Sequence, residues 1–176
     1  MTTAVGNQVP RRQTTIAVTG HLDLTEATVP LVRAALDGLL KPYGGDGDPL
    51  VGVSCIAKGA DTVFAEAVLA AGGRLVVVVP SRDYRRSTVE PEHGGSYDRL
   101  LAAAAEVVVL PYETAEREAY EAANSVLVQR ADRLVAVWDG APPTGKGGGT
   151  ADAVLAARAA GIPVDVVWPE GAARGG

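Results

Sequence analysis

The chain reads as an α/β protein, a doubly wound and mainly parallel Rossmann-like sheet with helices on both faces. Short apolar, β-rich runs alternate with helix-period segments, and turns or glycine loops separate them. The runs lack polar alternation, as expected for parallel strands buried on both sides. With 176 residues and neither an internal repeat nor a dividing linker, one domain over residues 14–170 is expected, with flexible tails at 1–13 and 171–176.

In chain order, Thr15-Ile-Ala-Val-Thr19 is the first strand and runs into Gly20-His21. Val29, Val32, Leu36 and Leu39 then recur at helical spacing. Thr28 is the expected cap, because Pro30 is tolerated only in a first turn. Leu50-Val-Gly-Val-Ser54 is the second strand, followed by the tight turn Ala57-Lys-Gly-Ala-Asp61 and a helix from about Thr62 to Ala71, which Gly72-Gly73 ends. Leu75-Val-Val-Val-Val79 is the third strand. Charges, Pro91 and Gly94-Gly95 predict a long loop over 81–96, either a lid or a disordered segment. A short helix over 97–105, an edge strand over 107–110 and a long helix over 114–131 follow. The strand Leu134–Trp138 ends in Asp139-Gly140. A glycine loop, Thr144-Gly-Lys-Gly-Gly-Gly-Thr150, leads into a helix over 150–160, which Gly161 and Pro163 stop. Val164–Trp168 is the last strand.

Composition narrows the function classes. A formal net charge of −5 argues against a general nucleic-acid binder, which carries a basic face, so nucleic acid is an unlikely partner on this reading. The lone Cys55 allows no disulfide within the chain and fits a reducing, cytoplasmic setting. No apolar run approaches the roughly 20 residues of a membrane helix. Neither histidine has the partner spacing of a metal site, and no cofactor is required. The excess of Ala, Gly, Val and Arg over Lys points to a GC-rich bacterial gene.

The strand, glycine loop and helix around residue 150 make an anion site in principle. Free N–H groups of a first helical turn and the positive end of its dipole favour phosphate, and glycines clear the approach. In a doubly wound sheet the ligand sits beyond the carboxyl ends of the strands where the winding reverses. Placing that reversal between the first strand and 134–138 brings Gly20 and His21 beside Asp139 and Gly140, with Lys58, Gly59 and Asp61 near them. Gly147, Gly148, Gly149 and Thr150 then supply the phosphate cradle. Each of these residues also has a plainer reading. Asp139-Gly140 is a turn signal, Asp61 a helix cap, His21 a backbone hydrogen-bonding group and Lys146 a solvated lysine. Arg82, Arg85 and Arg86 suit a phosphate only if a cleft holds them. Asn124 faces either the ligand or solvent, and Trp138 and Trp168 read as core.

Val18-Thr-Gly-His21, Lys58-Gly-Ala-Asp61, Ala131-Asp132, Trp138-Asp-Gly140 and Gly147-Gly-Gly-Thr150 together resemble the SLOG superfamily. It comprises LOG nucleoside-monophosphate phosphoribohydrolases, the DNA-processing protein DprA and small nucleotide-binding Rossmann-like domains. The resemblance spans residues 15–168 and implies a nucleotide ligand, and relatives that pair through helices imply a homodimer. LOG enzymes carry Pro-Gly-Gly-x-Gly-Thr-x-x-Glu, whose glutamate takes part in cleaving the glycosidic bond. Here that place holds Ala153, and Asp152 is about 100° away around the helix. Small relatives read Gly-His-Arg after the first strand, whereas Leu22 follows His21 here. The resemblance thus implies a nucleotide-binding, sensor-like module. The alternative is an N-glycosidase or phosphoribohydrolase using Asp152, Asp61 or Glu66 instead. DprA-like binding of single-stranded DNA is disfavoured by the acidic balance.

Overall fold

The computed structural model describes residues 12–44 and 48–175. Most of the expected tail at 1–13 therefore lies outside the described residues. Six strands, β1 (Thr14–Gly20), β2 (Leu50–Ser54), β3 (Arg74–Val79), β4 (Glu106–Val109), β5 (Arg133–Val137) and β6 (Val164–Val167), form one sheet. Its order is β4-β3-β2-β1-β5-β6, and every neighbouring pair is parallel. The chain winds outward from β1 to β4, then returns to place β5 against the other side of β1, with Gly20 opposite Val137. The winding reverses between β1 and β5, the position anticipated from the glycine turns.

Helices α1 (Thr28–Leu40), α2 (Ala60–Ala70), α3 (Tyr84–Ser87), α4 (Pro91–Ala103), α5 (Arg117–Arg130) and α6 (Thr150–Ala159) cover both faces. Parallel connections are right-handed, so crossovers running one way along the sheet share a face and those running back take the other. On one face Val32, Leu36, Phe64 and Val68 bury against Ile16, Val18, Val135 and Val137. Further along that face, Tyr97 and Leu100 of α4 pack with Leu75 and Val77. On the other face Ala123 and Leu127 of α5 and Ala157 of α6 meet Ala17, Val53, Val78 and Leu134. Burial of a Val or Leu side chain contributes roughly 1.5–3 kcal/mol, so these layers, rather than surface pairs, hold the strand ends in place.

Three local readings change. The expected loop over 81–96 is mostly helical: Tyr84–Ser87 forms one turn and α4 begins at Pro91. Pro91 is a helix-starting residue there because its missing N–H is one that a first turn leaves unpaired anyway. Thr28 does not cap α1 but is its first residue, fully buried. Its Oγ1 accepts a hydrogen bond from the Ala173 N–H at 2.8 Å and lies 3.1 Å from the Ala173 carbonyl. The stretch set aside as a C-terminal tail is accordingly fastened to the β1–α1 connection through Thr25, Thr28 and Asp23.

Candidate functional site

A cleft of about 670 Å³ opens beyond the carboxyl ends of β1 and β5. A smaller groove of about 260 Å³ lies near the start of the strands, between Thr15, Arg74 and Arg130, and there Arg130 is already paired with Glu106 at 2.8 Å.

One wall of the larger cleft comes from the turns after β1 and β2. Gly20 lies against Val137 and α2, and a Cβ there would meet the Ala60 Cβ at 2.4 Å. Gly59, at φ +83°, presses on the carbonyls of His21 and Leu22, so only glycine fits both the dihedral and the space. Ile56, at φ +46°, is the one non-glycine residue with positive φ among the described residues. A β-branched residue there is strained by about 1–3 kcal/mol. Neighbours hold it: its N–H donates to Ser54 Oγ at 3.0 Å, and its carbonyl meets His93 Nε2 at 2.9 Å. Ser54 Oγ in turn donates to the Asp61 carbonyl.

Asp61 is the second residue of α2 and makes no side-chain cap; its carboxyl is buried and lines the cleft. Burial pushes its pKa up to about 7, against a smaller lowering by the Ala57 backbone. Cys55 and Tyr84 also line this floor, and burial raises both of their pKa values, with Asp61 adding to each shift.

His21 is buried, and its ring stands edge-on to Trp168 at 5.6 Å between centroids. Its Nε2 lies 3.1 Å from the Asp139 N–H and 3.1 Å from Asp139 Oδ1. The neutral ring with its proton on Nδ1 accepts from the amide, whereas the protonated ring donates to the carboxylate. Asp139 Oδ1 also accepts from the Ala141 N–H at 2.9 Å, which holds its pKa below the usual carboxylate value together with His21 and Arg174. Asp139 is therefore a turn-forming residue that also anchors His21. Neither it nor Gly140 is part of the cleft lining.

The opposite wall is drawn from the loop 141–149 and the tip of α6. Gly147 and Gly148 have positive φ and lie against Arg117, Glu121 and Tyr120 of α5. Asn124 Nδ2 donates to the Gly149 carbonyl at 3.3 Å. Asp152 Oδ2 accepts from the Gly149 N–H at 3.1 Å, so the protein's own carboxylate already occupies one amide of the cradle. The amides of Thr150 and Ala151 have no intrahelical acceptor and adjoin the cleft.

Of the residues anticipated from sequence, Gly20, His21, Asp61, Gly147, Gly148, Gly149 and Thr150 meet at the cleft; Lys58, Gly59, Asp139 and Gly140 stand behind it. Lys58 pairs with Glu90 at 3.3 Å on the surface. The arginine cluster does not enter the cleft: Arg82 pairs with Glu113, and Arg85 forks onto Asp98 and lies over Tyr97. Glu66 pairs with Arg99 and Arg33 on the outer side of α2. Tyr84, Tyr120, Trp138 and Arg174 line the cleft and were not singled out as ligand contacts. Tyr120 shares a helical face with Ala123 and Leu127, a signal present in the sequence. Tyr84 lay inside the misread loop, and Arg174 in a stretch without periodicity.

No family model matches the chain, and no curated protein matches it. Solved structures do. The DNA processing protein A of Streptococcus pneumoniae is 20% identical with a TM-score of 0.63, over 89% of this chain and 51% of that one. The DNA processing protein A of Helicobacter pylori, described for its single-stranded DNA binding mode, is 16% identical with a TM-score of 0.60, over 92% and 68%. The Moco carrier protein of Chlamydomonas rheinhardtii is 19% identical with a TM-score of 0.51, over 88% and 76%. The chain spans about half the length of the Streptococcus protein. Their likeness corrects the expectation that nucleic acid is an unlikely partner, because a protein described as binding single-stranded DNA shares this fold. Net charge fails as a criterion here, since it does not report where charges lie. Strand order, switch point and these neighbours agree: the chain has a Rossmann-like fold, the one that the DNA processing protein A and Moco carrier structures share with it.

Proposed function

We propose that the cleft binds a nucleotide or nucleotide derivative, as a binding or sensing module. The observation that carries this reading is the opening of the α6 tip onto the cleft that Gly20 and His21 line. Amides and dipole at that tip suit a phosphate, and Tyr84, Tyr120 and Trp138 offer aromatic surface to a base. About 670 Å³ is within the range of small-molecule sites.

Hydrolysis is the weaker reading. It needs an ionised carboxylate beside the sugar, and the glutamate position of the LOG motif holds Ala153, which is fully buried. Asp152 is engaged at the cap and Glu66 lies outside the cleft. Asp61 and Asp152 both line the cleft, but Asp152 is held by the Gly149 N–H at the helix cap and burial favours the neutral form of Asp61.

The test is a thermal-shift panel of nucleotides followed by chromatography of the mixtures. A ligand at a hundred times its Kd contributes about 2.7 kcal/mol, which raises Tm by roughly 5–10 °C in a chain of this size. Intact nucleotide with a raised Tm supports the module, and free base in the mixture overturns it in favour of hydrolysis. A short single-stranded oligonucleotide belongs in the same panel, because the DNA processing protein A likeness favours a polymeric form of the same ligand chemistry. Retention of the oligonucleotide but of no mononucleotide would replace the small-molecule reading.

A further inference from the structure

We propose that Arg174, carried into the cleft by the C-terminal strap, is the side chain that reads the ligand's phosphate. This rests on the nucleotide reading above and names the cation that reading lacks.

The strap is built by backbone pairing. After β6, Pro169–Ala172 makes a turn, closed by the Ala172 N–H to the Pro169 carbonyl at 3.0 Å. Gly171, at φ +86°, lies within this turn. The chain then runs antiparallel to the β1–α1 connection, with Leu24 opposite Arg174. Thr25 N–H donates to the Ala173 carbonyl at 3.2 Å, Gly175 N–H to the Asp23 carbonyl at 2.6 Å, and the buried Thr28 hydroxyl holds Ala173. Residues 173–175 are therefore fixed on both sides of Arg174, and the guanidinium is delivered to the cleft rim.

There it lies between the turns that follow β1 and β5. Nε donates to Asp23 Oδ1 at 2.9 Å. The approach of Nη1 to Asp139 Oδ2 is 3.6 Å, too long for a hydrogen bond. A guanidinium carries five N–H donors; Nε is taken by Asp23 and Nη1 faces Asp139 at ion-pair distance, which leaves the outer Nη donors for a ligand and keeps the fork from swinging away. A planar fork with free Nη donors matches two phosphate oxygens. Of the other cations, Lys146 also lines the cleft, but from an exposed stretch of the 141–149 loop with no partner among the described residues to hold its ammonium in place, and Arg82, Arg85 and Lys58 pair outside the cleft. Leu22, where the resemblance leads one to expect arginine, is exposed at 58% and offers no donor. Arg174 reaches the same connection from the far end of the chain.

The experiment compares AMP, adenosine and pyrophosphate by calorimetric titration on the wild type, Arg174→Gln and Arg174→Lys, with the ligand-free melting curve of each variant as the folding control. Arg174→Gln is expected to weaken AMP and pyrophosphate about tenfold or more while leaving adenosine unchanged, and Arg174→Lys to fall between. An equal loss for AMP and adenosine, or no loss for either, overturns the proposal, because a strap that only shapes the wall cannot discriminate a phosphate. If the wild type binds pyrophosphate but neither AMP nor adenosine, the nucleotide reading falls and the pyrophosphate arm alone decides on Arg174. If it binds none of the three, both fall.

Discussion

The two walls of the cleft are built on opposite principles. In the wall from β1 and β2, Ser54 is fully buried and His21 and Asp61 nearly so, and the polar groups of its turns have partners within the fold. The wall from 141–149 is largely exposed, and Gly140, just before it, and Gly145 meet nothing within 4 Å of an added Cβ. The first wall is complete without a ligand; the second ends in helix amides that only water or a ligand satisfies. Specific shape therefore belongs to the first, and the unpaired helix amides to the second.

The sharpest way to break this contrast is Gly20→Ala. Its Cβ would fall 2.4 Å from the Ala60 Cβ and 2.9 Å from the Val137 Cβ, atoms that cannot swing away. Overpacking of this kind costs about 3 kcal/mol, read by urea denaturation. A loss below 0.5 kcal/mol would mean that the first wall yields as easily as the second.

A second test uses pH. Asp61 has a folded pKa of about 7, above its unfolded value, so the folded state holds the extra proton between roughly pH 4 and 7. Its contribution is fully present below the unfolded pKa and is lost as pH rises through 7. Relative to Asp61→Asn, the wild type is expected to lose up to about 1.4 kcal/mol per pH unit across that window. Parallel curves for the two proteins would show that Asp61 is not buried against the cleft floor.

The smallest effect is expected at Asp152. Asp152→Asn keeps a group able to accept from Gly149 and removes the negative charge beside the amides, so stability is expected to fall by only about 0.5 kcal/mol. Affinity for AMP, measured by titration, is expected to rise a few-fold because the competing anion is gone. Weaker binding would place the phosphate away from the α6 tip.

Much of this was legible before any coordinates. Continuous Val and Ile runs fix buried strands, Gly72-Gly73 and Gly161 end their helices, and the glycine turns after 19 and 138 point to the switch point. Segment 81–96 was not legible, because Pro91 reads as a breaker in sequence and serves as a starter in the fold, while Gly94 and Gly95 sit inside α4. There tertiary packing of Tyr97 and Leu100 overrides weak helix propensity. Lys58, Asp139 and the arginines between 82 and 86 were ambiguous for another reason. A charged side chain near a turn has the same local pattern whether it faces ligand or a carboxylate thirty residues away, as Lys58 does with Glu90. Arg174 was invisible because its position depends on Thr28 and Ala173 meeting across almost the whole chain.

The chain has two tryptophans, and both sit where β5 and β6 end: Trp138 on the cleft, with its Nε1 donating to the Ala141 carbonyl, and Trp168 against the His21 ring. Intrinsic indole emission from this molecule is thereby confined to the neighbourhood of the switch point. A fluorescence change on adding a small molecule reports on that corner, so the protein carries its own optical probe of site occupancy without a label.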